Sequence, residues 1–305
     1  MIQKENFWTS PQSDYKSRRK EFLEFSADSG DFSHTGRRAG PPTARGLFSQ
    51  ISRLELRKSI DEGIIRDSLD RVDKRLDCSD FAVAAMLRIL YLYRGNGLLS
   101  DKIANEIQRS LIGFKYWMYE PGENTMCFIS ENHQIMFHSD EYLAGQMFPD
   151  EIFSNGQDGR WHYQKGRERI LRWIDLRART GFGEWDSNVY YDEDMAPLLN
   201  LIDFSEEEGI SRRAAMILDV MFFDMAVDSF RGTYGTSHGR TYLRSILGSR
   251  EEATSGVQKI AWGLGSFNNP DNRTSVCLAT SKHYRVPETI EAIGQDMPEE
   301  FSNKE

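Results

Sequence analysis

The chain has 305 residues, 39% of them hydrophobic, and its 38 Lys and Arg against 47 Asp and Glu give a formal net charge of -9. This length and apolar content suffice for one large domain or two moderate ones with a sizeable core. The acidic balance makes nucleic acid and anionic membranes poor candidate partners. An acidic polysaccharide stays possible, because a few Arg and His residues can create a locally positive cleft.

The cysteines Cys78, Cys127 and Cys277 are odd in number and widely spaced. They predict neither a disulfide framework nor a zinc site, and we expect no metal or other cofactor. The N-terminus lacks the apolar core of a signal peptide, and no later run approaches the roughly 18 apolar residues that span a bilayer. As written, the chain is expected to be cytoplasmic without membrane insertion, or periplasmic or secreted if a leader was removed.

Three regions follow one another along the chain. Residues 1–44 mix charges with Ser, Gly and Pro, notably in GRRAGPPTARG, and predict an irregular N-terminal arm. Residues 45–265 carry apolar residues at helical spacing, interrupted at 115–129 by KYWMYEPGENTMCFI, which predicts a long ordered loop. Residues 266–305 have little apolar content and suggest a polar C-terminal tail or the start of a missing domain.

No alternating pattern in the chain indicates a sheet, so we predict an all-α fold. Ser79 or Asp80 can cap the helix DFAVAAMLRILYLYR, and Ser100 or Asp101 can open the next helix. Amphipathic helices with short connections pack as antiparallel hairpins, and about five hairpins can close into a ring. We therefore predict an (α/α) toroid or incomplete toroid built from helical hairpins, with an irregular helical bundle as the alternative.

The segment SENHQIMFHS at 130–139 places polar side chains in the first turn of a helix. Ser130 is a natural N-cap, and Glu131, Asn132 and His133 follow it near the positive end of the helix dipole. That dipole disfavours an imidazolium, so His133 is expected to be neutral and available as a base. The alternative is that Asn132 and His133 only cap and pack the helix start.

A second polar segment is TGFGEWDSNVYYDED at 180–194, which offers Glu184, Trp185 and Tyr190 in one loop. A loop so rich in aromatic and acidic groups is costly to order, which favours a functional role. The equally weighted alternative is a hydrogen-bonded loop in which Trp185 and Tyr190 are anchored in the core.

A third polar segment is RGTYGTSHGRTY at 231–242, in which three glycines separate Tyr234, His238, Arg240 and Tyr242. Glycines let the backbone approach a ligand closely while the polar side chains converge. The segment is neither a phosphate loop nor a dinucleotide fingerprint, because its spacing is wrong and no strand precedes it. In a toroid such loops can share one face, so we expect the three segments and the aromatic loop at 115–129 to meet in a cleft.

An Asn-His pair at a helix start, with Tyr and Arg further downstream on an all-helical chain, resembles the α/α-toroid polysaccharide lyases, which include alginate and hyaluronate lyases. The resemblance covers roughly residues 46–265 and implies cleavage of a uronate-containing glycan by β-elimination without a metal. It implies that Asn132 neutralises the uronate carboxylate and that His133 removes the C5 proton.

By the same resemblance, Tyr242 or Tyr190 would protonate the leaving glycosidic oxygen, while Arg240 and His238 would hold the carboxylate. Aromatic rings can stack on the C–H faces of sugars, and polar groups can bind their hydroxyls. The expected partner is thus a poly- or oligosaccharide. The candidate substrate-binding residues are Trp117, Tyr119, Glu131, Glu184, Trp185 and Tyr234.

Two other functions fit the same residues. A glycoside hydrolase on this architecture would use two carboxylates from Glu131, Glu184, Asp186 and Glu193, about 5–5.5 Å apart for retention or about 6.5–9.5 Å apart for inversion. A non-catalytic helical binding or scaffold protein would instead use the three loops as a recognition surface.

Overall fold

The computed structural model describes residues 14–28, 46–300 and 302. In this part of the chain nearly all regular structure is helical, which confirms the predicted all-α class. Two short strands, β1 (Ser229–Phe230) and β2 (Thr233–Tyr234), form an antiparallel pair. The helices are α1 (Tyr15–Asp28), α2 (Leu47–Glu55), α3 (Glu62–Asp73), α4 (Ser79–Tyr93), α5 (Asp101–Gly113), α6 (Glu131–Met147), α7 (Gly159–Thr180), α8 (Tyr191–Phe204), α9 (Glu208–Val227), α10 (Leu243–Leu247), α11 (Ser255–Trp262), α12 (Arg273–Thr280) and α13 (Glu288–Gln295).

One of the two predicted helix N-caps is confirmed and the other is wrong. Ser100 accepts a hydrogen bond from the N–H of Ile103 and opens α5, as predicted. At α4 the prediction is wrong, because the N-cap is Cys78 and not Ser79 or Asp80. Cys78 adopts left-handed backbone with φ of 62°, which is uncommon for a residue with a side chain.

Five helices form a closed sequence of neighbours. Helix α2 packs on α4, α4 on α6, α6 on α8, α8 on α12, and α12 on α2, while α4 also touches α8. These helices are buried nearly all round: 13 of the 15 residues of α4 and 13 of the 17 residues of α6 are buried. A helix buried on every side belongs in the interior of a domain. Helices α3, α7 and α9 cover this group, packing on α4, α6 and α8 respectively.

The N-terminal region differs from the predicted irregular arm, because residues 15–28 form α1 and pack on α2, α11 and α12. Arg18, which is 2% exposed, donates to the carbonyl oxygens of Ile260 and Ala261 at 2.9 and 2.7 Å and pairs with Glu291. A charged residue thus anchors this helix, which explains why apolar periodicity did not reveal it. Residues 29–45, with most of GRRAGPPTARG, lie outside the described part.

The region after residue 265 also differs from the predicted polar tail. Seven of the eight residues of α12 are buried, and the helix contacts α2 and α8. Several of its buried residues are hydroxyl-bearing and form hydrogen bonds within the core: Thr274 donates to the Asp192 carbonyl at 2.6 Å, and Thr280 donates to that of Val276 at 2.7 Å. Such residues read as polar in a sequence although they can be buried when their hydroxyls are paired.

One buried cation joins three of the interior helices. Arg88 of α4 is fully buried and forms an ion pair of 2.7 Å with Asp203 near the end of α8. Its guanidinium also donates to the side chains of Asn200 and Thr280 at 2.9 and 2.8 Å, and to the carbonyl of Cys277. Because the donors are matched by acceptors from α8 and α12, Arg88 fixes the relative positions of these helices.

Among the described residues, no helix is both long and apolar enough to cross a membrane.

Arg88→Ala should destabilise the fold by about 3–5 kcal/mol, since it leaves Asp203 charged and buried without its partner. Urea denaturation monitored by circular dichroism measures the loss. Arg94→Ala is the matched control, because Arg94 follows the same helix and is exposed, and it should cost less than about 0.5 kcal/mol. Similar losses in the two variants would contradict the role given to Arg88.

Candidate functional site

The N-terminal ends of four helices meet at one end of the molecule. His133 of α6 contacts Asp80 of α4 at 2.5 Å, and Arg273 of α12 pairs with Glu193 of α8 at 2.8 Å. The centre of the Phe81 ring lies 5.2 Å from that of His133 and 4.3 Å from the Arg273 guanidinium, so these two pairs are neighbours. Helix N-termini carry partial positive charge, so this end of the fold can hold an unusual number of buried carboxylates.

The segment 180–194 reaches this end through Glu131, the first residue of α6. The Gly183 N–H donates to Oε2 of Glu131 at 2.6 Å, and the same oxygen forms an ion pair with Arg177 near the end of α7. The start of α6 and the loop after α7 are therefore tied together, as expected for two segments of one site.

The segment 231–242 packs directly on the segment 180–194. The Gly239 N–H donates to the Trp185 carbonyl at 2.8 Å, and Arg240 pairs with Glu184 at 2.5 Å. His238 hydrogen-bonds through Nδ1 to the backbone oxygen of Asp186. Two of the three predicted polar segments thus form one continuous surface.

A pair of tyrosine hydroxyls lies where these two segments meet. Tyr190 and Tyr242 are hydrogen-bonded through their hydroxyl oxygens, and the Arg240 guanidinium lies 3.7 Å from the centre of the Tyr190 ring. Burial and the bond to Tyr242 raise the pKa of Tyr190, although the charge of Arg240 opposes this. Tyr190 therefore keeps its proton at neutral pH, while Tyr242, 52% exposed, faces solvent.

Of the other candidate residues, some are exposed at the surface and some are buried beneath it. Trp185 and Tyr119 are 42% and 79% exposed and can receive a ligand. Asn132, 1% exposed, accepts a hydrogen bond from the Ser130 hydroxyl, and Tyr234, 2% exposed, donates to the Asp186 carboxylate at 3.0 Å. Both Asn132 and Tyr234 thus lie beneath the surface.

The aromatic loop at 115–129 packs on the middle of α6, about one turn beyond His133. Trp117 is buried, with its ring 4.6 Å from that of His138 and 4.5 Å from the Arg169 guanidinium. Burial, with the charges of Arg169 and Lys165, lowers the pKa of His138 to about 3, so this imidazole is neutral. Trp117 therefore supports the helix α6, while Tyr119 next to it extends to the surface.

His133 is charged, and the expectation of a neutral base is wrong. Burial favours its neutral form, but the fully buried carboxylate of Asp80 outweighs burial and raises the pKa of His133 to about 11. The Asp80 carboxylate, 2.5 Å from the His133 ring, affects the pKa of His133 more strongly than the helix dipole on which the expectation rested. An imidazolium cannot accept a proton, so His133 is not the general base in this arrangement.

Buried carboxylates from α6, α8 and the 180–194 loop lie close enough to influence one another. Glu131, Glu184 and Glu193 each have an arginine partner, respectively Arg177, Arg240 and Arg273.

Asp194 has no such partner: it is fully buried, and neither of its carboxylate oxygens has a hydrogen-bond partner within the described chain. Burial and the charges of Glu131, Glu184 and Glu193 raise the pKa of Asp194 well above its usual value, so folding favours the protonated form of this carboxyl.

Sequence reasoning missed Asp80, Asp194, Arg177 and Arg273. Asp80 and Asp194 share a recognisable signal, since each is a carboxylate at the start of a strongly apolar helix. A buried charge in that position needs a partner or a proton. The two arginines had no signal, because their partners lie on other helices.

A surface depression of about 470 Å³ lies at the opposite end, where α8 ends and α9 begins. Its Asp203 is occupied by Arg88 and by the N–H groups of Lys282 and His283, and its Glu208 pairs with Arg212. These carboxylates have structural partners, and the depression is remote from the tyrosine pair. The chemistry of the chain therefore points to the end formed by the helix N-termini.

Comparison with known proteins returned no match to a protein-family model, a curated protein or a solved structure.

Asp194→Asn should change how stability depends on pH. The unfolded carboxyl loses its proton near pH 3.8, whereas the folded one keeps it to much higher pH. Wild-type stability therefore falls as pH rises above about 4, by up to about 1.4 kcal/mol per pH unit for this group. Since Asn cannot ionise, the stability of the variant relative to wild type should rise between about pH 5 and pH 7.

Urea denaturation at several pH values measures this difference in the free energy of unfolding. Asp73→Asn, at an exposed position near the end of α3, is the control and should show no such trend. A constant difference between Asp194→Asn and wild type over this range would show that Asp194 is ionised in the folded chain.

Gly239→Ala should loosen the contact between the two polar segments. An added Cβ would lie 2.6 Å from the Trp185 ring, so either the indole or the loop must move. We expect a loss of about 1–3 kcal/mol and greater exposure of Trp185, measured by urea denaturation and acrylamide quenching. At Gly235, in the same segment, the nearest atom would be 3.8 Å away, and Gly235→Ala should be nearly neutral. Equal effects would refute the close packing at Gly239.

Proposed function

We propose that this chain is a carbohydrate-active enzyme, a polysaccharide lyase that cleaves a uronate-containing glycan by β-elimination. The observation that carries the proposal is the Tyr190–Tyr242 hydroxyl pair beside Arg240 on an accessible surface. Such a group supplies a proton acceptor, a hydrogen-bond donor that stabilises it, and a cation for a carboxylate. Trp185, partly exposed next to this group, offers a ring face on which a sugar can stack.

We also propose that the fold is an (α/α) toroid. The support is the closed sequence of neighbours α2, α4, α6, α8 and α12, covered by helices such as α3, α7 and α9. In this architecture the N-termini of the interior helices open onto one face. The tyrosine pair and the polar segments belong to that face, since Glu131 begins α6 and Tyr190 precedes α8.

Tyr242 is the proposed acid–base residue. As a phenolate it would accept a hydrogen bond from the Tyr190 hydroxyl and be stabilised by the charge of Arg240. It takes the C5 proton, the C5–H electron pair forms the C4–C5 double bond, and the bond from C4 to the glycosidic oxygen breaks. Tyr242 then returns its proton to the leaving oxygen, so one residue performs both transfers.

Arg240 is the proposed carboxylate-binding residue. Its side chain is 43% exposed and forms one ion pair with Glu184, which holds the guanidinium over Tyr190 while leaving donors for a substrate. Binding of the uronate carboxylate by a cation acidifies the adjacent C5 proton, because it stabilises the carbanion-like transition state. His133, charged but held by Asp80, can add to the positive potential without transferring a proton.

A glycoside hydrolase is the second candidate. In its favour, burial and the nearby charges of Asp192 and Asp80 raise the pKa of Glu193 to about 7, against the opposing charge of Arg273. A general acid needs such a value. Against it, Glu131, Glu184 and Glu193 are all engaged by arginines. For a non-catalytic scaffold, a fully buried Asp194 without a hydrogen-bond partner in the described chain would serve no evident purpose.

The lyase proposal is tested with a panel of uronate polymers, by following the ultraviolet absorbance of the unsaturated product. Tyr242→Phe should lower kcat by about 10²–10⁴-fold without changing helical content, because it removes the transferring oxygen. Tyr163→Phe, near the start of α7 and away from the site, is the matched control and should keep wild-type activity.

Reducing ends released from a glycan without unsaturated product would instead establish hydrolysis. Wild-type lyase activity in Tyr242→Phe would place the acid–base group elsewhere. Absence of both products on every polymer would favour the scaffold.

A further inference from the structure

Three potential metal ligands come together at the start of α4. A carboxylate oxygen of Asp77, Sγ of Cys78 and a ring nitrogen of His133 all lie within 4.8 Å of one another. They combine an oxygen, a sulfur and a nitrogen donor. Asp77 and Cys78 are accessible to solvent, whereas His133 is 8% exposed, so an ion could reach the group from outside.

Asp80 orients the imidazole for ligation. Its carboxylate contacts Nδ1 of His133 at 2.5 Å, which leaves Nε2 as the nitrogen available to an ion, and Sγ of Cys78 lies within 4.8 Å of a ring nitrogen. A carboxylate on the second nitrogen of a metal-binding histidine is the usual arrangement in zinc proteins, where it fixes the tautomer and the ring. The left-handed backbone of Cys78 places thiol and imidazole together despite its conformational cost.

Two buried carboxyl groups near these ligands have oxygens without a hydrogen-bond partner in the described chain. Asp80 is fully buried, and its Oδ1 has no hydrogen-bond partner in the described part of the chain. Asp140, also fully buried, has neither oxygen paired among these residues and lies within electrostatic range of Asp80. When an ion replaces the ring proton of His133, its positive charge would take over the pairing with the buried Asp80 carboxylate.

A second group, of two carboxylates and a histidine, already contains a cationic side chain of the protein. Glu120, Glu141 and His162 also lie within 4.8 Å of one another. There the Lys165 ammonium contacts Glu120 at 2.5 Å and Glu141 at 2.7 Å, and Asn155 contacts the far nitrogen of His162. A protein cation therefore already occupies that centre.

We propose that Asp77, Cys78 and His133 bind one zinc ion, with Asp80 holding His133 from behind and water in the fourth position. Mixed oxygen, sulfur and nitrogen ligands in a tetrahedral arrangement are typical of zinc. Ligand atoms around zinc are about 3.3–3.8 Å apart, so modest side-chain rotation closes the site. Binding replaces the thiol proton and the ring proton of His133, and it releases them to solvent.

The test uses the full-length chain freed of metal with a chelator, then titrated with Zn²⁺ by calorimetry and with Co²⁺ by absorbance. Wild type should bind one ion per chain, and Co²⁺ should give a thiolate-to-metal charge-transfer band. Cys78→Ser should abolish this band and weaken Zn²⁺ binding by at least about 100-fold. Asp80→Asn should weaken binding by about 10–100-fold.

Two further variants make the result independent of folding and of lyase activity. Asp77→Asn changes an accessible side chain and should weaken Zn²⁺ binding while the circular dichroism spectrum is unchanged. Glu120→Gln, in the group filled by Lys165, should bind as wild type does. The proposal is overturned if wild type binds no stoichiometric Zn²⁺, or if Cys78→Ser binds it equally well. Rapid alkylation of Cys78 that Zn²⁺ does not slow would also overturn it, and would point to a free reactive thiol.

Discussion

Buried carboxylates at the N-terminal ends of the interior helices are the constraint on which this structure depends. Removing a charge from water costs several kcal/mol unless a partner or a proton compensates it. Asp80 is compensated by His133 and Glu193 by Arg273, so each carboxylate draws a residue from another helix toward the same end. The positions of α4, α6, α8 and α12 are thus linked by charge as well as by apolar packing. The positive ends of the helix dipoles favour the same arrangement.

This charge compensation also determines where proton chemistry can occur. Because Asp80 keeps His133 in its imidazolium form, the histidine that the sequence suggested as a base cannot accept a proton. The accessible group that we propose for proton transfer is instead the Tyr190–Tyr242 pair, which lies next to a partly exposed Arg240. The interior acidic groups then serve to position the arginines. Arg240 lies over Tyr190 because Glu184 holds it from the other side.

The contact between the 180–194 and 231–242 segments was expected from the way helical hairpins pack, which puts alternate connections on one face. The sequence was sufficient for the helical class, because hydrophobic periodicity is a local pattern. It was insufficient where the partner of a residue is distant in the chain. Asp80 determines the charge of His133, yet nothing near SENHQIMFHS indicates a carboxylate from another helix. Helices α1 and α12 were missed for a related reason, since Arg18 and the threonines of α12 are polar residues whose partners are found only in the fold. The closure of the helices into a toroid, the substrate and the reaction remain predictions.

Asp194 and Asp140 differ from the other buried acids, because neither has a cationic partner or a hydrogen bond to its carboxyl group in the described chain. Both are fully buried with unpaired oxygens in the described chain, and burial raises the pKa of each well above the usual value. A hydrophobic residue there would avoid the desolvation cost, so stability alone does not account for an acid at either place. Each lies beside one of the two proposed centres: Asp140 is coupled to Asp80 behind the zinc ligands, and Asp194 to Glu184 beneath Arg240. A neutral carboxyl group at either position can lose its proton when a cation binds nearby. The resulting carboxylate can then pair with the bound ion or with an arginine that a ligand displaces.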